Sequence, residues 1–494
     1  MSERILPKQS FVASIAPRDL ADAARLAARA PARATGIEYR LDLADEMIPV
    51  ERLMALDRRP VIATWRSVAE GGRFSGSRED YLRLARAAYA AGATVDVEHA
   101  RGVLDAAGEF PDRRRVVVSL HAPFGLPADV GGTLAAMRAS RAHAVKLVAG
   151  AAELPAALEL VEIQRREGDG SLAVFPMGPA SPPGRVLCAL SGGALVYGPV
   201  ERQTASGQIP LEELFEVYSV DRPRRPEALF GIVGTDVSGS LSPALHNRLF
   251  AARDLPWLYL PLPVGDFERV KPHEIAFDPP FRGFSITHPW KLAAAGVGRP
   301  SADVSATHAA NTLVRERGGW RAENTDVDGI FDPLADHDTG EGRSAVILGA
   351  GGAARAAVVA ARKLGYEVLV ASRRNEQADA VARELSVDSL AWDDVAASEA
   401  DLYVNATPVG WRDEDVSALP SAVLANRPLV FDCVYRKDGY ETSTIRAARA
   451  ARCAVVEGIR MFASQAARQA ALFGVEGVTA EEIAGALKPT RSAA

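Results

Sequence analysis

The sequence predicts an α/β protein: an N-terminal (β/α)8 barrel, then a smaller α/β domain, then a doubly wound dinucleotide-binding domain. Three observations carry this. Short apolar runs recur along the first part of the chain, with Ala/Arg/Leu-rich helical stretches such as Arg18–Ala30 and Arg78–Ala91 between most of them. A charged, proline-bearing joint, Val220-Asp-Arg-Pro-Arg-Arg-Pro226, interrupts that beat, and a new α/β pattern starts at Leu229–Val233. Farther on, the glycine turn Gly349-Ala-Gly-Gly-Ala-Ala-Arg355 follows an apolar strand and opens a helix. Periodicity alone does not report closure, so an open doubly wound sheet is the alternative for the first part.

The barrel strands are expected at Phe11–Ile15, Gly36–Leu43, Pro60–Trp65, Ala93–Glu98, Val116–Leu120, Ala144–Val148, Leu172–Met177 and Ala194–Tyr197. Notable polar residues cluster at their C-terminal ends, where barrels carry their sites. Domain boundaries follow: 1–222 for the barrel, 228–326 for the second domain, 327–460 for the nucleotide-binding domain. The amphipathic stretch Met461–Leu472 is expected to pack back, so that 461–488 completes the second domain, and the tail after Lys488 to fray.

At 494 residues the chain exceeds one core. Its 48% hydrophobic and 24% charged residues are those of a soluble globular protein. A net charge of −6 argues against nucleic acid or an anionic membrane as partner. Cys188, Cys433 and Cys453 lie far apart in apolar surroundings, so they read as buried thiols of a reducing compartment. No Cys/His ligand spacing suggests a metal. There is no membrane-length apolar run and no secretory segment, and the first strand begins near Ser10, which together indicate a cytoplasmic enzyme. Nothing in the sequence reports oligomeric state.

In the first half, Glu38, Arg40 and Asp42 share a strand face at period two. Three charges there are costly unless they pair and bind a polar ligand. Strand three ends in Thr64-Trp-Arg66 and runs into Glu70-Gly-Gly72; strand five ends in Ser119-Leu-His121. Lys146 stands in the middle of the apolar strand Ala144-Val-Lys-Leu-Val148. Burial disfavours its ammonium and frees the amine to attack a carbonyl. Met177-Gly178, Arg185, Thr204 and Gln208 follow.

In the second half, Ser240 and Ser242 open a helix, where hydroxyls and free N–H groups suit a carboxylate. Thr287 and Lys291, then Asn311 and Asn324-Thr325-Asp326, come next. A lysine and an aspartate converging on a hydroxyl can move the proton that accompanies hydride transfer. The turn at Ala350, Gly351, Gly352 and Ala353 suits a pyrophosphate at a helix N-terminus. The next strand, Glu367–Ala371, ends in Ser372-Arg373-Arg374 where an acidic residue would hold a ribose 2′-hydroxyl, so NADP(H) is favoured over NAD.

Two resemblances emerge from these residues. Glu38-x-Arg40, Thr64-x-Arg66-x-x-x-Glu70-Gly-Gly, Ser119-x-His121, Lys146, Met177-Gly with Arg185, and Ser206-Gly-Gln208 together resemble type I 3-dehydroquinate dehydratase over about residues 10–215. The resemblance implies that Lys146 forms a Schiff base with the C3 ketone of 3-dehydroquinate and that His121 is the general acid/base, oriented by Glu70. It implies that Arg185 holds the carboxylate, while Glu38, Arg40, Arg66, Thr204 and Gln208 bind hydroxyls and order the site. Departures are Ala122-Pro123 after the histidine, where an acidic residue is usual, Gly184 for serine, and Thr204 for serine.

Ser-Leu-Ser-Pro at 240–243, Thr287-x-x-x-Lys291, Asn324-Thr-Asp326, the glycine turn, Asn405-Ala-Thr407-Pro-x-Gly410, Asp432-x-x-Tyr435 and Gly458-x-x-Met461-x-x-x-Gln465 resemble shikimate dehydrogenase over about 228–488. This implies a Lys291/Asp326 catalytic pair, with Ser240 and Ser242 on the shikimate carboxylate. Thr287, Asn311, Tyr435, Gln465 and Gln469 would bind the ring. Ala350, Gly351, Gly352, Ala353, Ser372, Arg373, Asn405, Thr407 and Gly458 would line the NADP site. Ser285, for the usual asparagine, and Gly239, for the usual histidine, bear on shikimate against quinate.

The joint implication is a bifunctional enzyme of the shikimate pathway that makes 3-dehydroshikimate and reduces it to shikimate, one product feeding the next site at high local concentration. The alternatives are a catabolic quinate/shikimate dehydrogenase fused to a dehydratase, one non-catalytic half, or a class I aldolase barrel. His99, His143 and His246 carry no comparable context and read as structural; Glu98 fits an ion pair as well as a supporting role and stays off the catalytic set.

Overall fold

The computed structural model describes residues 5–102, 109–337, 340–411, 416–436 and 439–487. The expected tail after Lys488 lies outside them. The chain divides into two compact units, one holding the residues up to Pro226 with Leu262–Val264, the other the remainder.

In the first unit eight parallel strands form one sheet: β1 (Ser10–Ile15), β2 (Gly36–Arg40), β3 (Val61–Thr64), β4 (Thr94–Glu98), β5 (Val116–Ala122), β6 (Ala144–Gly150), β7 (Leu172–Met177) and β8 (Leu195–Pro199). Their order, β7-β6-β5-β4-β3-β2-β1-β8, is that of a barrel. The ladder leaves β7 and β8 at its ends, and the rings of Phe175 and Tyr197 meet across that seam with centroids 5.9 Å apart. The barrel is thus nearly closed, and the open-sheet alternative is excluded. The strands are buried on both faces because helices such as Arg78–Ala90 and Leu154–Glu167 cover the outside.

The ends of the strands differ from expectation. β2 stops at Arg40, and Leu41–Leu43 turns as a 3-10 helix, so Asp42 leaves the strand face. β5 and β6 run two residues farther than expected, to Ala122 and Gly150.

The second unit holds two six-stranded sheets. One has the order β10-β9-β11-β13-β14-β12, with β9 Ala228–Gly234, β10 Trp257–Pro263, β11 Phe281–Ile286, β12 Arg299–Pro300, β13 Thr312–Glu316 and β14 Gly319–Glu323. The other is wholly parallel, ordered β17-β16-β15-β18-β19-β20, with β15 Ser344–Leu348, β16 Glu367–Ala371, β17 Asp388–Ser389, β18 Leu402–Asn405, β19 Leu429–Asp432 and β20 Val455–Val456. Order reverses beside β15, and in such sheets ligands sit at that switch point. The helix Gly458–Leu472 packs Phe462, Ala463, Ala466 and Ala470 into the core of the first of these sheets. Cys188 and Cys453 are buried as expected; Cys433 is only partly so.

Candidate active sites

In the barrel, Lys146 is 3% exposed. It does not lie uncompensated among apolar neighbours, as its strand suggested: Nζ pairs with Asp96 on β4 and stands 4.0 Å from Glu38. The Asp96 carboxyl is held below the usual range, its burial outweighed by Arg66, Lys146 and Ser119. Asp96 carries no part of the sequence reading. Its signal was there, since Thr94-Val-Asp96-Val-Glu98 alternates, but only Glu98 drew notice.

Arg66 is fully engaged. Its guanidinium reaches Glu70 at 3.0 Å, Asp96 at 2.8 Å, Glu98 at 3.2 Å and Ser119 at 2.9 Å. Glu98 also accepts from the Ser67 N–H and pairs with Arg101, an anchoring role. Arg40 is gripped by both oxygens of Asp42 and donates to the Thr204 carbonyl at 2.9 Å. Glu38 accepts from Ser14 at 2.6 Å and Thr64 at 3.0 Å. Thr204 meets Ser14 at 2.8 Å, and Gln208 accepts from the Thr204 N–H at 2.8 Å.

His121 sits at the end of β5 with Nδ1 3.0 Å from Glu70 Oε2, which also takes the His121 backbone N–H. Burial, then Arg66 and Lys146, push the imidazole pKa well below its ordinary value, so the ring is neutral. Burial, with Glu98 and Asp96 nearby, pushes Glu70 up to about 7 against the pull of Arg66. Arg185, on the helix Pro182–Leu190, lies over Phe175 at 5.2 Å. Its Nε is buried without a partner, and burial lowers its pKa to about 10, so it remains a cation at neutral pH. The barrel mouth thus brings together a buried amine, a neutral imidazole and a guanidinium free to take an anion.

In the second unit a cavity of about 180 Å³ is lined by Lys291, Asp326, Asn311 and Thr287, among others. Lys291 begins the helix Lys291–Ala294 and Asp326 the helix Asp326–Ala335; Nζ and Oδ2 are 2.5 Å apart. Asn311 fixes the other Asp326 oxygen at 2.9 Å and receives the Thr325 N–H at 2.8 Å. Ser242, Tyr435, Gln465 and Gln469 complete the wall. Gln469 donates to Thr312 at 2.8 Å and accepts from Ser285 at 2.8 Å, and Ser285 in turn takes the Tyr259 hydroxyl at 2.7 Å. Ser240 lines the adjoining cavity with Thr287 and Tyr435 and hydrogen-bonds Tyr435. Ser240 does not cap the helix; its hydroxyl accepts from the Ser242 N–H at 3.1 Å. Met461, a position of the motif quoted above, also lines the cavity, as do Cys433 and Phe462, which nothing in their local sequence distinguishes.

The glycine turn stands beside this cavity, which Ala353 and Gly458 border. Gly349 has φ +120°, and a Cβ there would lie 2.8 Å from the Ala406 carbonyl. Gly351 faces open space before the helix Gly352–Lys363, so a pyrophosphate can approach the backbone around Ala350–Ala353. A Cβ on Gly352 would meet the Lys291 stem at 2.7 Å; on Gly458 it would meet the Val434 carbonyl at 2.3 Å. Ser372 and Arg373 follow β16, and Arg373 is exposed. Asn405 holds its own loop instead, donating to Asp432 at 2.8 Å and accepting from Thr407 at 2.6 Å. These residues fit a phosphorylated dinucleotide.

Residues 11–224 match the family model of type I 3-dehydroquinase, residues 232–313 that of the shikimate dehydrogenase substrate binding domain, and residues 344–434 that of NADP oxidoreductases dependent on coenzyme F420. A bifunctional 3-dehydroquinate dehydratase/shikimate dehydrogenase, chloroplastic, from Arabidopsis thaliana is 27% identical over 469 residues, 88% of this chain and 77% of that one. A shikimate dehydrogenase (NADP(+)) from Maridesulfovibrio salexigens is 33% identical over 250 residues, 50% of this chain and 90% of that one. A solved structure of dehydroquinate dehydratase and shikimate dehydrogenase from S. pombe is 20% identical, with 98% of each chain covered and a TM-score of 0.42. Fold and sites define an enzyme that joins a lyase barrel to an NADP oxidoreductase. The chain belongs to the shikimate dehydrogenase family through its second unit, and its first unit is a type I 3-dehydroquinase domain.

Proposed function

We propose that this chain dehydrates 3-dehydroquinate in the barrel and reduces the resulting 3-dehydroshikimate to shikimate with NADPH in the second unit. The observation that carries the reading is that each unit holds a lysine paired to a carboxylate: Lys146 with Asp96 among the charged side chains of the barrel strands, and Lys291 with Asp326 on the wall of a cavity. The domain limits 1–222, 228–326 with 461–488, and 327–460 fit this division of labour.

In the barrel, Lys146 adds to the C3 ketone and loses water to give an imine. The imine draws electrons from the C2–H bond as neutral His121 takes the proton at Nε2, its Nδ1–H held by Glu70. The C1 hydroxyl then departs as water with the proton His121 returns, and water hydrolyses the remaining imine, which releases 3-dehydroshikimate and restores Lys146. Arg185, a buried cation without a carboxylate partner, takes the substrate carboxylate. Glu38, Arg40, Arg66, Thr204 and Gln208 order the walls.

In the second unit NADPH supplies hydride when bound. Gly351, Gly352 and Ala353 would hold its pyrophosphate, with Ala350, Asn405, Thr407 and Gly458 shaping the bed and Ser372 and Arg373 on the 2′-phosphate. Lys291 gives a proton to the oxygen that becomes the new hydroxyl, and Asp326 holds the Lys291 ammonium in place. Ser240 and Ser242 receive the carboxylate; Thr287, Asn311, Tyr435, Gln465 and Gln469 receive the ring.

One cuvette tests the whole: purified protein, 3-dehydroquinate and NADPH, followed by loss of NADPH absorbance. Oxidation that stops in Lys146→Ala, while 3-dehydroshikimate is still reduced, is the expected result. No oxidation with either substrate would overturn it.

A further inference from the structure

Tyr197 belongs to none of the motifs above. It stands on β8, 6% exposed, and its ring lies over Lys146 with Nζ 4.8 Å from the centroid. Its hydroxyl is buried and meets no hydrogen-bond partner. An unpartnered buried hydroxyl costs stability, and an aromatic ring alone would hold the ammonium as well.

The surrounding donors show what the hydroxyl is for. The protons of Ser14 and Thr64 go to Glu38, that of Ser119 to Asp96, and that of Thr204 to Gln208. Asp96 and Glu38, the carboxylates facing Nζ, accept from their neighbours: Asp96 from Arg66 and Ser119, Glu38 from Ser14 and Thr64. His121 has its Nδ1–H on Glu70 and offers a lone pair at Nε2. Of the hydroxyls around Nζ named here, Tyr197 alone has a proton not already given away; the Thr94 hydroxyl, also without a partner, stands two residues before Asp96 on β4. Burial, with Glu38 and Asp96 close by, pushes the phenol pKa well above its ordinary value and keeps that proton in place.

Imine formation needs such a donor. As Lys146 adds to the ketone, the C–N bond forms and the carbonyl oxygen gains charge; that oxygen must then leave as water.

We propose that Tyr197 is a catalytic residue of the barrel: its ring seats Nζ, and its hydroxyl donates to the oxygen expelled from C3. The atoms balance: the ammonium carries three hydrogens, two depart with the oxygen as water, and one stays on the iminium. Asp96, paired with Nζ, takes the first of the two so that a free amine attacks, and later gives it to the departing oxygen; Tyr197 passes the other to the oxygen and regains it from nitrogen. No redox partner is required. The proposal rests on the imine reading above.

The test is Tyr197→Phe, which keeps the ring and removes the hydroxyl. Single-turnover trapping of the 3-dehydroquinate adduct with borohydride is expected to slow about a hundredfold, the usual size of one positioned acid. Imine formation then limits turnover, so deuterium at C2 no longer slows the reaction. Reduction of 3-dehydroshikimate continues unchanged, and a urea unfolding profile like that of the unaltered protein shows that the barrel is folded. Trapping at the unaltered rate, with the isotope effect intact, would overturn the role of Tyr197 and leave the imine reading standing. Failure of the unaltered protein to give any adduct would overturn both.

Discussion

At Glu70 the surroundings decide what the side chain can do. With its pKa pushed up to about 7 by burial, it gains the charge that holds the His121 Nδ1–H only as pH rises through neutrality. Dehydration kcat/KM is therefore expected to climb on an acid limb near pH 7, and Glu70→Gln to remove that limb; a pH–rate profile of each checks it. Lys291→Ala is expected to lower reduction about a thousandfold and leave dehydration untouched, read in separate assays. The sequence disclosed nearly every residue named in these roles, because a lysine in an apolar strand or charges at period two are costly enough to stand out. It did not disclose Asp96 or Tyr197. An aspartate in an alternating strand and an aromatic in a barrel have ordinary explanations until the fold turns both toward Nζ.

Among the elements, the helix Ser242–Ala252 carries a buried polar group with no hydrogen-bond partner among the described residues. His246 is fully buried with neither ring nitrogen bonded, stacked on Tyr259 at 4.5 Å and flanked by Phe250 and Phe473. Burial lowers its pKa to about 3. A depressed histidine pKa adds nothing above the unfolded value of about 6.5 and costs stability as pH falls from there toward 3, on the order of 5 kcal/mol when complete. His246→Leu is expected to flatten that acid loss, measured by urea unfolding at pH 7 and pH 4.5. The structural reading of this histidine from sequence agrees with its surroundings. Strand ends were harder to read. Leu41–Leu43 is as apolar as the strand before it, and only the grip of Asp42 on Arg40 after the turn shows why the backbone leaves the sheet.

For the molecule as a whole, a ligand that binds only the folded second unit must stabilise that unit. NADPH at a hundred times its dissociation constant contributes about 2.7 kcal/mol. It is expected to raise the temperature at which reductase activity is lost by a few degrees, and Lys146→Ala to leave that rise intact. Thermal inactivation with and without NADPH checks both. Barrel and nucleotide fold were legible because their repeats are long, whereas the seam between β7 and β8 was not, since no local pattern reports how a ring closes. One contact also limits redesign. The Lys291 stem lies where a Gly352 side chain would be, so the glycine turn and the proposed proton donor share a wall. An engineer who changes cofactor preference by altering that turn will find the chemical step changed as well, and must select for both together.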